Sequence, residues 1–111
     1  MVTPSQFDYV IAGGGLQGSL LAFAISRLQP SAQVLLVEKQ SQFCGNHTWS
    51  FHRSDLSDTT WEWFSELVDR QWDGYHVELG GVTRHIPIGY GSIFPTDLIK
   101  NYRRYGITRT T

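Results

Sequence analysis

The stretch VIAGGGLQG, residues 10–18, decides the fold that the sequence predicts. Gly13, Gly15 and Gly18 occupy the three glycine positions of a dinucleotide-binding loop. The first glycine permits a tight turn from a strand into a helix, the second lets the backbone approach a pyrophosphate, and the third lets the helix pack closely on the strand. A pyrophosphate would then lie at the positive end of the helix dipole.

The segments on either side of the loop have the pattern that such a site requires. Phe7–Ala12 is a short apolar run that predicts a buried strand, and Leu16–Leu28 has apolar residues at helical spacing. Gln33–Val37 is a second apolar run, which ends at Glu38. Strand, helix and strand within about thirty residues indicate a βαβ unit over 7–38, with its two strands parallel.

Glu38 lies twenty residues after Gly18, at the end of the second predicted strand. There its carboxylate can accept hydrogen bonds from an adenosine ribose, and its charge would repel a 2′-phosphate. Gly13, Gly15, Gly18 and Glu38 are therefore the predicted cofactor-binding residues. The alternative is a glycine-rich turn in a βαβ unit that binds nothing. FAD and NAD share this fingerprint, and the N-terminal position with Lys39 after Glu38 favours FAD, as in families that resemble glutathione reductase and aromatic hydroxylases.

The pattern changes after the second strand. Residues 40–55 are polar and aromatic without a clear period, so we predict a loop there. Thr59–Trp72 has helical spacing, and Thr59 with Glu62 fits a capping box. Two apolar runs, Tyr75–Leu79 and Val82–Ile88, flank Gly80-Gly81 and predict a β-hairpin, so that a helix and a hairpin occupy 59–93.

A last helix is predicted at Asp97–Tyr105, capped by Thr96 and closed by Gly106. The expected fold class is thus α/β: a Rossmann-like FAD/NAD(P)-binding βαβ start, followed by a helix and a hairpin, in an incomplete domain. We take 1–111 as the N-terminal part of an FAD-binding domain.

Composition excludes several other classes. The chain has 41% apolar and 17% charged residues, which is typical of a globular protein. Its net charge of −1 argues against a nucleic-acid partner. A single cysteine, Cys44, cannot form an internal disulfide, which favours a reducing compartment. Leu20–Ile25, the richest apolar run, is too short to span a bilayer.

The phrase GNHTWSFH, residues 45–52, stands out for its two histidines and two large aromatic residues. His47 and His52 are five residues apart, which suits neither a helical pair nor a strand pair of metal ligands. His76 and His85 lie on the predicted hairpin without ligand spacing, so we predict no metal site. Cys44 has no identifiable base and is interpreted as a small buried residue.

VIAGGGLQG, VLLVEK and above all GNHTWSFH resemble the N-terminal part of bacterial lycopene beta-cyclases, over roughly residues 5–100. The resemblance implies an enzyme that closes the linear ends of lycopene into β-rings, without net redox change. It implies reduced FAD as the cofactor, NAD(P)H as its reductant and a carotenoid substrate. It also implies peripheral contact with the inner face of the cytoplasmic membrane, in the bacterial cytoplasm. Trp49 and Phe51 are candidates to line the apolar pocket.

The catalytic carboxylates of that family are expected beyond residue 111, so no catalytic residue is assigned. The tail 102–111 does not resemble the family and is interpreted as a truncated end. We therefore expect residues 1–111 alone neither to hold FAD tightly nor to cyclise lycopene. Two alternatives stay open: an FAD-dependent monooxygenase or other oxidoreductase, and an inactive nucleotide-binding fragment.

Overall fold

The computed structural model describes residues 6–40, 43 and 47–110. The chain divides into two units, and each is described by itself. The first comprises Met1–His47 with Pro95–Thr111, and the second comprises Thr48–Phe94.

The first unit contains the predicted βαβ element. Strand β1, Tyr9–Ala12, pairs in parallel with β2, Val34–Val37, and helix α1, Leu16–Leu28, connects them. In β2 the side chains of Val34 and Leu36 are buried. The predicted fold class is therefore confirmed in its decisive element. The prediction of a buried first strand is wrong, because β1 lies at the edge of the sheet and its Val10 is 62% exposed.

Helix α1 packs through a small face rather than through most of its leucines. Ser19, Ala22 and Phe23 are fully buried, whereas Leu21 and Leu28 are exposed. Ser19 and Phe23 both contact Tyr102, so the buried face of the helix packs against the C-terminal segment of the first unit.

The tail continues the first unit. Helix α3, Pro95–Arg104, is followed by strand β8, Thr108–Thr110, which pairs in parallel with β2 and gives the sheet order β1-β2-β8. The helix starts at Pro95 and not at Asp97, because proline is favoured in the first helical turn, where no intrahelical N–H bond is lost. Tyr102 is 1% exposed and stacks on Phe23 at 5.5 Å. Residues 102–110 thus contribute to the core and the sheet.

The second unit contains an antiparallel sheet of order β3-β7-β4. Its strands are β3, Trp49–His52, β4, Arg70–Trp72, and the central β7, Tyr90–Ile93. One prediction from the sequence is wrong in this sheet. Residues 40–55 are not one loop, because they include β3 and a 3-10 turn at Arg53–Asp55. Trp49–His52 alternates aromatic and polar residues as a strand does, but a run of only four residues is too short for the pattern to predict one.

The predicted helix Thr59–Trp72 is wrong in its length and its cap. Helix α2 covers only Asp58–Phe64, a 3-10 turn follows, and Trp72 lies on β4. Ser57 is the N-cap, and its Oγ accepts the Thr60 backbone N–H at 3.1 Å. Trp72 matched the helical period by coincidence, since the strand that follows is held by tertiary pairing with β7.

The hairpin is confirmed. Strands β5, Tyr75–Leu79, and β6, Val82–Ile86, pair antiparallel around Gly80-Gly81. Both glycines have positive φ, as a two-residue hairpin turn of this kind requires. β6 ends at Ile86 rather than Ile88, because Pro87 cannot donate a hydrogen bond to a neighbouring strand.

Candidate functional site

The glycine loop lies at the carboxyl ends of β1 and β2. Gly13 has a φ of 111°, a conformation that favours glycine, and its N–H donates to the Val37 carbonyl at 2.6 Å. This bond ties the turn to the neighbouring strand. The chain then enters helix α1 with Gly15 as the N-cap, without a side-chain cap. The backbone N–H groups of the first helical turn have no intrahelical acceptor and carry the positive end of the helix dipole.

The structure shows why residue 18 has to be a glycine. A Cβ atom at this position would lie 1.9 Å from the Gly13 carbonyl oxygen. No side chain fits there, because the contact is with the backbone of the turn itself. Gly15 differs, since a Cβ there would meet no atom of the protein within 4 Å. The open space at Gly15 is consistent with the close approach of an external group such as a pyrophosphate.

A cleft of about 460 Å³ opens at this end of helix α1. Its lining comes from the end of β1, the glycine turn and the first turns of the helix. These residues are Ile11, Ala12, Gly13, Gly15, Leu16, Gln17, Gly18 and Leu21. No acidic side chain lies in the first turn, so nothing there opposes an anion. The glycine loop thus fits a diphosphate.

Glu38 is held beside the loop by backbone hydrogen bonds. Its Oε2 accepts the N–H of Gln40 at 2.7 Å, and its Oε1 accepts the N–H of Gly14 at 3.0 Å. These bonds, with the one from Lys39 and its positive charge, lower the pKa of the Glu38 carboxyl below its ordinary value, against the opposing effect of burial. A negatively charged carboxylate therefore stands at the end of β2, close to the glycine turn.

Gly14 is a residue whose role sequence reasoning missed. A Cβ at Gly14 would lie 2.5 Å from the ring of Phe43 and 2.9 Å from Cβ of Glu38. Phe43 is buried and meets Tyr102 edge-on at 6.0 Å. The middle glycine thus makes room for an aromatic residue that arrives from the next loop. A run of three glycines was the only available signal, since the fingerprint leaves the middle position open.

The structure describes GNHTWSFH from His47 onward, while Cys44, Gly45 and Asn46 lie outside the described residues. His47 is exposed, and Trp49 and Phe51 lie on β3. The Phe51 ring contacts Phe64 edge-on at 5.0 Å and lies at 6.1 Å from Trp61. Phe51 also lines a cleft with Arg53, Trp61, Trp72 and Tyr90, among others, within the second unit.

The His52 side chain lies in a cluster of aromatic rings. Its Nε2 lies 2.9 Å from the Tyr75 hydroxyl, and its ring contacts those of Tyr75 and Tyr90 at 5.7 and 5.5 Å. Its backbone N–H donates to the Asp55 carboxylate at 3.0 Å. The side chain therefore joins β3 to the hairpin and the central strand. Among the residues that the structure describes, no group of three or more His, Cys, Asp or Glu side chains is arranged to hold a metal ion.

A family model described as "Lycopene cyclase protein" matches residues 8–106. The chain belongs to the lycopene cyclase family. The match contains the glycine loop, Glu38 and the whole of GNHTWSFH. It also reaches residue 106, so the first part of the tail lies within the family pattern, which corrects the expectation that the likeness ends near residue 100.

The curated relatives agree with this membership. "Lycopene beta-cyclase" of Pseudescherichia vulneris is 40% identical over 86 residues, and the protein of the same name from Pantoea ananas is 36% identical over 84 residues. These matches cover 78% and 76% of this chain. The chain spans only 22% of the length of each of these relatives.

Two solved structures have a similar fold. Thermovibrio ammonificans THI4 gives a TM-score of 0.57 at 14% identity, over 95% of this chain and 37% of that one. A variant of 2-methyl-3-hydroxypyridine-5-carboxylic acid oxygenase gives 0.63 at 17% identity, over 92% of this chain and 30% of that one. At such low identity the likeness concerns the fold alone. Within the described segments, no helix has both the length and the apolar character needed to cross a bilayer.

Proposed function

We propose that this chain forms the ADP-binding part of an FAD-dependent lycopene beta-cyclase. The observation that carries the proposal is the family match over residues 8–106, which contains both the glycine loop and the aromatic phrase. The glycine loop alone supports only a dinucleotide site. The relatives named "Lycopene beta-cyclase" supply the reaction class.

Different residues at this site bind different parts of the adenosine diphosphate group of FAD. The N–H groups at the start of helix α1 face the diphosphate, and Gly15 leaves room for it. Glu38 accepts hydrogen bonds from the ribose hydroxyls, because each carboxylate oxygen can accept a second bond beside the backbone one. The Glu38 carboxylate is charged at neutral pH, since its pKa lies below the ordinary carboxyl value, and this charge disfavours a 2′-phosphorylated nucleotide.

The proposed reaction is an acid-initiated cyclisation without net redox change. A proton adds to the end group of lycopene, the ring closes on the resulting cation, and a proton leaves. Reduced FAD, once bound, supplies negative charge close to that cation, and NAD(P)H is the proposed reductant. The catalytic acid is proposed to lie outside residues 1–111. The role of this chain is therefore to bind the cofactor.

Peripheral membrane contact is part of the proposal, with the cytoplasmic face of the membrane as its location. Leu79 and Val82 flank the hairpin turn and are 81% and 70% exposed. An exposed apolar pair at a protruding tip is suited to the acyl region of a bilayer, where a lipid-soluble carotenoid would be collected.

Expression of the complete reading frame in lycopene-accumulating cells tests the cyclase function. Formation of β-carotene, with flavin in the purified protein, is the expected result. Flavin without a cyclised product, together with NAD(P)H oxidation on another substrate, would instead support an oxidoreductase. That second candidate rests on the fold shared with the oxygenase. Stoichiometric flavin on purified residues 1–111 would contradict the expectation that this chain alone does not hold FAD tightly.

A further inference from the structure

Strand pairing in the hairpin brings together two histidines that are not neighbours in the sequence. In the register of β5 and β6, His76 lies directly opposite His85, and their ring centroids are 4.6 Å apart at an angle of 44°. Both residues are exposed to solvent. The two side chains leave the same face of the hairpin, since residues directly opposite each other in an antiparallel pair point the same way.

The surroundings leave the imidazole nitrogens available. In the described part of the chain, neither ring makes a side-chain hydrogen bond or an ion pair, and their recorded contact is with each other. Alternation along the strands places Glu78 and Thr83 next on the same face, whereas Val77 and Arg84 point to the other face. A carboxylate near the pair favours a positively charged ligand at the histidines, whereas the Arg84 guanidinium, which would oppose it, leaves the other face of the hairpin.

The sequence spacing predicts no metal site, but the strand register places the two rings side by side, and we propose that His76 and His85 form a bidentate site for a divalent transition-metal ion such as Cu²⁺, Ni²⁺ or Zn²⁺. Neutral imidazole is a ligand that these ions prefer, and two rings on facing strands can hold one ion between them. No third protein ligand completes the set within the described residues, so water or an external group takes the remaining positions. The site is therefore open and exchangeable, unlike a closed structural zinc centre.

A bound ion would stabilise the pairing of the two hairpin strands. Strands β5 and β6 form a two-stranded sheet that pairs with no other strand among the described residues. A hairpin of this kind is marginally stable by itself. An ion that binds only when the strands are paired shifts the equilibrium towards the paired state by mass action. Metal binding would then order the tip at Leu79 and Val82.

Metal titration of the 111-residue chain, prepared without a polyhistidine tag, tests the site. Calorimetry with Cu²⁺, Ni²⁺ and Zn²⁺ at neutral pH is compared between the unmodified chain, His76→Gln and His85→Gln. Loss of one of two chelating ligands is expected to weaken binding on the order of tenfold or more. His47→Gln, at an exposed histidine outside the hairpin, is the matched control and is expected to bind as the unmodified chain does.

NMR spectroscopy locates the bound ion independently of the calorimetry. Paramagnetic Ni²⁺ or Cu²⁺ is expected to broaden the ring signals of His76 and His85 first, and amide spectra of the same samples report folding. The same substitutions in the complete reading frame give a second measurement. Equal affinity of the unmodified protein and both variants, or broadening centred on another histidine, overturns the proposal. Stacking of two imidazoles without metal binding would then be the function of the pair.

Discussion

The backbone N–H of Gly14 donates a hydrogen bond of 3.0 Å to Oε1 of Glu38, which links the glycine turn after β1 to the acidic residue after β2. The two residues are 24 positions apart in the chain. Parallel pairing of β1 and β2 brings the carboxyl ends of both strands to one edge of the sheet. The turn that we propose to receive a diphosphate and the carboxylate that we propose to receive a ribose are thus joined directly by a hydrogen bond.

Glu38→Gln is expected to change how stability depends on pH. The pKa of Glu38 is lowered in the folded chain, so its contribution is fully present above the ordinary carboxyl pKa and is lost as pH falls through the lowered value. The glutamine variant does not titrate and should lose less stability between about pH 5 and about pH 2. Urea unfolding across this range measures the difference.

Glu62→Gln, an exposed residue of α2, is the matched control for that experiment. If both variants change the pH profile equally, the hydrogen bonds to Gly14 and Gln40 do not carry the effect. At neutral pH in the complete enzyme, Glu38→Gln should also weaken discrimination against a 2′-phosphorylated nucleotide, since the repelling charge is removed.

Gly15→Ala and Gly18→Ala should separate cofactor binding from folding. A methyl group at Gly15 meets nothing in the protein, so the apo-enzyme should keep its melting temperature while flavin affinity falls on the order of tenfold or more. A methyl group at Gly18 collides with the Gly13 carbonyl, so both flavin content and stability should fall, the latter by about 1–3 kcal/mol. Flavin absorbance and thermal unfolding of the complete enzyme report the two effects. Equal behaviour of the variants would argue against a diphosphate at Gly15.

Gly91→Ala is expected to destabilise the second unit. A Cβ on this central strand would lie 2.6 Å from the Phe51 ring and 3.2 Å from the Arg70 carbonyl oxygen. Because the strand is paired on both sides, the backbone has little room to shift, and a loss of about 1–3 kcal/mol is expected in urea unfolding. Phe51→Leu should relieve part of the clash. An additive double mutant would show that the two residues do not share this contact.

Tyr102→Phe is expected to cost about 1–3 kcal/mol of stability, because the Tyr102 hydroxyl shares a hydrogen bond with Ser19 Oγ where both residues are buried. The aromatic stacking on Phe23 is retained in this variant, so the change reports on the polar contact alone. Tyr90→Phe, which keeps its ring against Trp72 and Tyr75 in the second unit, serves as the control. An unchanged unfolding midpoint for Tyr102→Phe would mean that α3 does not dock on α1 through this bond.

The double variant Leu79→Ser with Val82→Ser should reduce association of the complete enzyme with lipid vesicles, because the most exposed apolar pair of the hairpin is removed. Flotation with neutral phosphatidylcholine vesicles measures the bound fraction. Thr83→Ser, a polar position between the tip and His85, leaves the apolar pair intact and should behave as the unmodified enzyme. Equal flotation of the double variant would place the membrane contact elsewhere.

Local sequence was enough to predict the βαβ unit and the residues that meet at the carboxyl ends of its strands. Gly13, Gly15, Gly18 and Glu38 lie at adjacent strand ends, because the turn chemistry, the helical spacing and the two apolar strands are all read within about thirty residues. The hairpin was likewise predictable, since a two-residue glycine turn sets the pairing of its own neighbours.

Contacts between distant residues decided the rest. Trp72 continues the helical spacing of α2 but lies on a strand, because pairing with β7 outweighs local propensity. Phe43 fills the space above Gly14, and Tyr102 docks on α1 from 83 positions away, which no local pattern records. His76 and His85 likewise face each other only through strand register.

The sequence by itself therefore determined the glycine loop, the acidic residue beside it and the family, since these depend on residue type at short spacing. Only the tertiary structure decided how the aromatic residues are distributed. Phe51 and His52 are neighbours on one strand, yet one packs against Phe64 and the other against Tyr75 and Tyr90. Successive side chains of a strand point to opposite faces, and what lies on each face is set by strands and helices that come much later in the chain.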